Sequence, residues 1–251
     1  MIYKIAKYIF YFFCFSLTKF LYPCHDVVLD IEICFNTENC EIPKTWKNKI
    51  FPTPINDSDR SVILNTLEKI MKKYPHEFLK HHLRKIYVWE YFTLYNLPYS
   101  ATNHKDILYL TFDKKTFNEI NALQKLEIDF HHEFLHILFW KYYKIFNVKQ
   151  WKSFNGSTKY LTKSGKIAIK INKISSKPDT SYFKKGFLCE YGSTCLPEDV
   201  ATFSFIFLED KMDMMNAVKN YPILNKKYNH IIEFYHKLSP FFTKEYFESI
   251  K

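Results

Sequence analysis

With 251 residues, 47% of them hydrophobic, the chain can bury a substantial core in one domain or two closely packed lobes. Its net charge of +10 rests almost wholly on lysine, since only Arg60 and Arg84 are arginines. Nucleic-acid binders use the arginine fork freely, so a solvated Lys-rich surface is the better reading and no nucleic-acid partner is expected; no P-loop, glycine-rich dinucleotide turn, zinc-knuckle cysteine spacing or internal repeat is present.

Lys4 and Lys7, the apolar stretch Tyr8 to Leu17, then Lys19 and Pro23 read as a secretory signal peptide over residues 1–23. The run is short for a bilayer span, and a signal-anchor is the alternative. The expected location is secreted or attached to the cell envelope, where disulfides are permitted. Beyond Cys14, Cys34 and Cys40 share one spacing with Cys189 and Cys195, so two local loops are the simplest expectation, although four cysteines allow three connectivities. Cys24 is then lipidated, free or removed.

Val27 to Ile33 suggests a short strand, and Pro43, Pro52 and Pro54 punctuate loops. A helix is expected from Ser58 to Tyr74, ended by Pro75. Leu83 to Phe92 and Asp106 to Phe112 read as strands, the second offering an edge to an extended peptide. Thr116 and Glu119 have capping-box spacing and open a helical region reaching about Tyr143. The Lys-rich stretch from Lys141 to Lys185 contains Tyr160 to Thr162, Ser164-Gly165 and Ile167, Ile169 and Ile171, which predict an exposed hairpin insertion near residues 155–182. Pro197 opens a helix with Glu198 and Asp199 in its first turn, followed by packing helices over Tyr221 to Lys237 and Pro240 to Ile250.

Within the long helical region, His132-Glu133-Phe134-Leu135-His136 spells His-Glu-x-x-His. Positions i and i+4 share one helix face, so both imidazoles can point at a single ion, and Glu133 can reach a water held there. The apolar residues around the motif mark a buried helix, in which two histidines and a glutamate need partners. A catalytic zinc takes three protein ligands and leaves one position open. Candidates for the third are Glu190, Glu198, Asp199, Glu209, His230 and His236, and a carboxylate at the start of a crossing helix favours Glu198.

The stretch Tyr191-Gly192, Glu198 seven residues on from Tyr191, then Ala201, together with the histidine motif, resembles zincin metallopeptidases of the gluzincin group. It is similar to the zinc-binding metallopeptidase lipoproteins of bacterial envelopes and to the catalytic domain of anthrax lethal factor. The resemblance covers about residues 60 to 250. It implies an α+β, zincin-like fold with a small twisted sheet, a buried His-Glu-x-x-His helix and a helical C-terminal part, spanning residues 26–251 as a single domain. It also implies one Zn2+ per chain on His132, His136 and Glu198, with Tyr191 offering its phenol to an oxyanion. Thr202 departs from the pattern, since relatives often carry there a carboxylate that orients a ligand histidine; Asp199 and Asp129 are the candidate substitutes. The Lys-rich insertion is also outside the pattern.

The expected function is hydrolysis of peptide or protein substrates, with Glu133 as general base toward a metal-activated water. The alternative is a catalytically degenerate zincin-fold protein that binds partners or a membrane surface, through its N-terminus or the Lys-rich insertion.

Overall fold

The structure, a computed structural model, describes residues 26–250; the expected signal peptide and Cys24 lie outside the described residues. The chain runs β1 (Asp26–Val28), β2 (Ile31–Cys34), β3 (Ile50–Thr53), α1 (Arg60–Met71), α2 (His76–His82), β4 (Lys85–Trp89), β5 (Tyr91–Leu94), β6 (Leu97–Tyr99), β7 (Ala101–His104) and β8 (Ile107–Thr111). Helices follow: α3 (Glu119–Lys141), α4 (Tyr143–Phe146), α5 (Val148–Phe154), α6 (Gly165–Lys170), α7 (Thr180–Phe183), α8 (Leu196–Ala201), α9 (Met212–Asn220), α10 (Pro222–Leu238) and α11 (Lys244–Ser249). This is the expected α+β class.

Five strands form the main sheet in the order β1-β2-β4-β8-β7, with β2, β4 and β8 parallel and the two outer strands antiparallel. Period-two alternation gives the sheet two apolar faces. Ile86, Val88, Leu108 and Leu110 face the helices, while Tyr87, Trp89 and Tyr109 form a second cluster on the opposite side. Strand β8 is therefore buried along its whole length between β4 and β7. It offers no edge, contrary to expectation; the edge belongs to β7, whose Ala-Thr-Asn-His sequence carries little strand signal. The single strand expected over Leu83 to Phe92 is split after Trp89, because β5 leaves to pair with β3 and β6 in a separate three-stranded sheet.

Helix α3 is the centrepiece. Ala122, Leu126, Phe130, Phe134 and Leu138 recur every fourth residue and pack into the main core. The expected capping box at Thr116 is not what starts it: Asn118 is the cap, its Oδ1 accepting from the Asn121 N–H at 2.9 Å. Helix α8 starts at Leu196, one residue before the expected proline, and packs across α3. No helix among the described residues is long and apolar enough to cross a membrane.

The cysteine expectation fails. Cys40, Cys189 and Cys195 are free thiols, so neither local loop is closed; Cys34 is disulfide-bonded, but not to Cys40. Equal sequence spacing does not supply the Cβ geometry that a disulfide needs.

The hairpin expected in the Lys-rich stretch is a helix. Ser164 caps α6 by accepting from the Ile167 N–H; Ile167 and Ile169 lie within this short helix, with Ala168 buried between them, and Ile171 is its C-cap. Nor is the stretch a loose excursion. Leu161 and Thr162 donate backbone hydrogen bonds to Ser193 and Thr194 at 3.2 and 2.7 Å, and the Tyr191 N–H donates to the Ser175 carbonyl at 3.0 Å.

Candidate metal centre

His132 and His136 sit one turn apart on α3 and face α8, where Glu198 occupies the first turn. Glu198 Oε2 lies 3.1 Å from His132 Nε2 and 3.3 Å from His136 Nε2, and the two imidazole nitrogens are 3.2 Å apart. Three ligand atoms at the corners of a tetrahedron around zinc, with bonds of about 2.0–2.1 Å, stand roughly 3.3 Å from each other. The triangle in the chain has those edges, so the residues fit the group. The donor set of two imidazoles and a carboxylate is chemically suited to it as well.

Glu133 faces the same space, its ligand atom within 4.8 Å of those of the histidines. Its Oε2 accepts from Asn103 Nδ2 at 2.5 Å, so the edge strand β7 holds it in place. Burial pushes its carboxyl above the usual range, against the pull of His136 and His132. Burial would raise Glu198 too, yet the two imidazoles hold it far below the ordinary carboxylate value. Burial works against a charged His136, but Glu198 raises it overall. The Tyr191 ring lies 6.0 Å from that of His132. Burial and the nearby carboxylates of Glu198 and Glu133 push its phenol well above its ordinary value, so it stays protonated and able to donate.

The other ligand candidates are elsewhere. Glu190 pairs with Lys173, Glu209 lies on the surface near Lys73, and His230 and His236 bond the carbonyls of Phe146 and Phe242. The adjacent His131 is turned away, with Nδ1 bonded to the Tyr74 hydroxyl at 2.7 Å. Neither suggested substitute for the carboxylate expected at Thr202 reaches His132 or His136: Asp129 pairs with Lys125, and Asp199 with Lys227, Tyr160 and Trp151. Thr202 itself bonds back to the Asp199 carbonyl at 2.9 Å.

Two residues that shape the site were not foreseen. Asn103 was hidden in a weak strand. Gly165 lies so close that a Cβ built on it would stand 2.2 Å from Glu198 Oε1 and 2.9 Å from the Tyr191 hydroxyl. The start of the Lys-rich segment is thus a wall of the site, while its residues 171–181 are exposed to solvent. Opposite it stands the β5–β6 hairpin, and Lys166 Nζ spans to the face of the Tyr95 ring at 3.6 Å. Between these walls runs a cleft of about 820 Å3 that also takes in Tyr99 and Trp140.

No family model matches the chain, and no curated protein matches it. Among solved structures, the chain is similar to the crystal structure of a putative zinc-binding metallo-peptidase from Bacteroides caccae, with a TM-score of 0.51 and 14% identity over 88% of this chain and 86% of that one. At that identity the likeness speaks to fold alone, and the fold is metallopeptidase-like.

Proposed function

We propose that this chain is a zinc-dependent metallopeptidase of the His-Glu-x-x-His…Glu kind, resembling the gluzincin group. The observation that carries the reading is the triangle of His132 Nε2, His136 Nε2 and Glu198 Oε2, with edges of 3.1–3.3 Å, at the floor of an open cleft. These three residues would hold the ion. A zinc there supplies Lewis acidity, which lowers the pKa of a water toward 7 and polarises a carbonyl.

The chain's own residues do the rest. Glu133, fixed by Asn103 and made more basic by burial, takes the proton of the attacking water and delivers it to the departing amine. Tyr191 keeps its proton and donates a hydrogen bond to the peptide oxygen as that oxygen gains charge. The free edge of β7, directly beside Glu133, gives an extended peptide a strand to pair with. Aromatic side chains along the cleft, Tyr95, Tyr99 and Trp140 among them, supply apolar contact for its side chains.

A second reading has one observation in its favour. Thr202 stands where a carboxylate orienting a ligand histidine is common, and Asp199 and Asp129 do not replace it. On that reading the fold binds a partner without cleaving it. Zinc stoichiometry measured beside cleavage of a peptide library separates the two. The peptidase reading expects one zinc per chain and turnover that falls by about 10²–10⁴ in Glu133→Gln with zinc retained. Bound zinc with no cleavage of any peptide, or unchanged turnover in Glu133→Gln, contradicts it.

A further inference from the structure

Helix α8 carries two adjacent acids, and only Glu198 faces the cleft. Asp199 is 0% exposed and points into a closed polar set behind the helix. Its Oδ2 accepts from Trp151 Nε1 at 2.8 Å, from the Tyr160 hydroxyl at 2.7 Å and from Lys227 Nζ at 2.7 Å; its Oδ1 accepts from Lys227 Nζ at 2.9 Å. Lys227, also 0% exposed, donates in addition to the Gly186 carbonyl at 2.7 Å. Its ammonium lies 4.5 Å from the centre of the Phe187 ring and 5.1 Å from that of Trp151.

An ion pair removed this far from water is a poor source of stability, because desolvation offsets most of the attraction. What it does supply is geometric definition. A carboxylate holding four hydrogen bonds from α5, α10 and the segment after α5 cannot rotate, and it pins the first turn of α8 in both roll and depth. Glu198 is the preceding residue, so that roll decides where its carboxylate points. The same set reaches the front of the site. Tyr160 lies in the Lys-rich segment, and five residues later Gly165 lies against Glu198.

We propose that Asp199, held by Lys227, Trp151 and Tyr160, is a positioning residue that sets the Glu198 carboxylate against the two imidazoles, and that Tyr160 makes the Lys-rich segment part of that setting. This rests on the zinc-centre reading above. Among the described residues no carboxylate bonds His132 or His136 from behind in the manner expected at Thr202; the control over Glu198 runs through its neighbour on α8 instead.

Tyr160→Phe removes a single oxygen and keeps the ring packed on Phe187. Zinc affinity of the full chain is measured by competition with a chromophoric chelator, beside the visible spectrum of the cobalt-substituted protein and the melting temperature of the zinc-free protein. Tyr160→Phe is expected to weaken zinc about ten-fold and to shift the cobalt bands, while the zinc-free protein melts close to the unaltered one. Lys227→Met is expected to lose more; should it fail to fold, Tyr160→Phe decides alone. Unchanged zinc affinity and cobalt spectrum in Tyr160→Phe overturn the proposal, and so does a loss of stability with no loss of affinity. An unaltered chain that takes up no zinc overturns the zinc-centre reading and this inference with it.

Discussion

Gly165 has no side chain where one would strike Glu198 Oε1 at 2.2 Å and the Tyr191 hydroxyl at 2.9 Å. Gly165→Ala therefore forces the Glu198 carboxylate or the Tyr191 phenol aside, and on the proposed function zinc affinity and peptide turnover are expected to fall together. Gly156 makes the control. It has φ +57° and open space around it, so Gly156→Ala costs about 1 kcal/mol through backbone strain and leaves zinc binding alone. Denaturant unfolding and chelator competition on both variants check the pair; equal zinc affinity in all three proteins would contradict the contact at Gly165. At this scale the sequence was readable where chemistry sets the spacing. Two imidazoles on one helix face follow from i and i+4. Glu198 is favoured over its neighbour Asp199 as a carboxylate at the start of a crossing helix and by the resemblance, because a first-turn acid is common without a metal. Gly165 and Asn103 carry no such mark, because their roles arise from what the chain brings beside them.

Among the elements, α3 could be read from its periodicity and α8 from its proline, while the segment between them could not. Ile167, Ile169 and Ile171 alternate like a strand, yet Ser164 supplies a cap and the segment folds as a short helix. Strand β7 was missed for the opposite reason: its residues have little β-propensity and are held in place by the ladder to β8. The start of α3 offers a direct check on cap placement. Asn118, not Thr116, supplies the side-chain acceptor, so Asn118→Ala should cost about 1 kcal/mol of stability. A change within a few tenths of a kcal/mol, by urea unfolding, would contradict that assignment.

For the molecule as a whole, buried imidazoles set the response to acid. Burial pulls His82 down to about 4 against the Phe78 carbonyl, and pulls His131 to about 4 against Glu127. The unfolded chain takes up these protons near pH 6.5, and the folded chain only near 4. The share of stability that rests on these two histidines is therefore full above 6.5 and falls as the pH drops from 6.5 to 4, by on the order of 3 kcal/mol per histidine at most. Burial would raise Glu127, yet His131 and Lys73 bring it to about 2, so it adds to the loss only below about 4.5. Urea unfolding of the zinc-free chain at pH 7 and at pH 4.5 should show the difference, with a shallower dependence in His82→Gln; a flat profile would contradict it. Strands β4 and β8 were legible as near-continuous apolar runs, which suits strands buried on both faces. The second sheet and the free thiols at Cys40, Cys189 and Cys195 were not, since both depend on how distant segments meet.

The metal centre itself is open to one decisive observation, the zinc-edge X-ray absorption spectrum of the zinc-loaded chain. The account predicts a first shell of nitrogen and oxygen only, at about 2.0–2.1 Å, with the outer scattering of two imidazoles. Cys189 and Cys195 are free thiols on the approach to α8, so sulfur at about 2.3 Å is the rival outcome. Sulfur in the shell, or a shell without two imidazoles, would contradict the cradle of His132, His136 and Glu198.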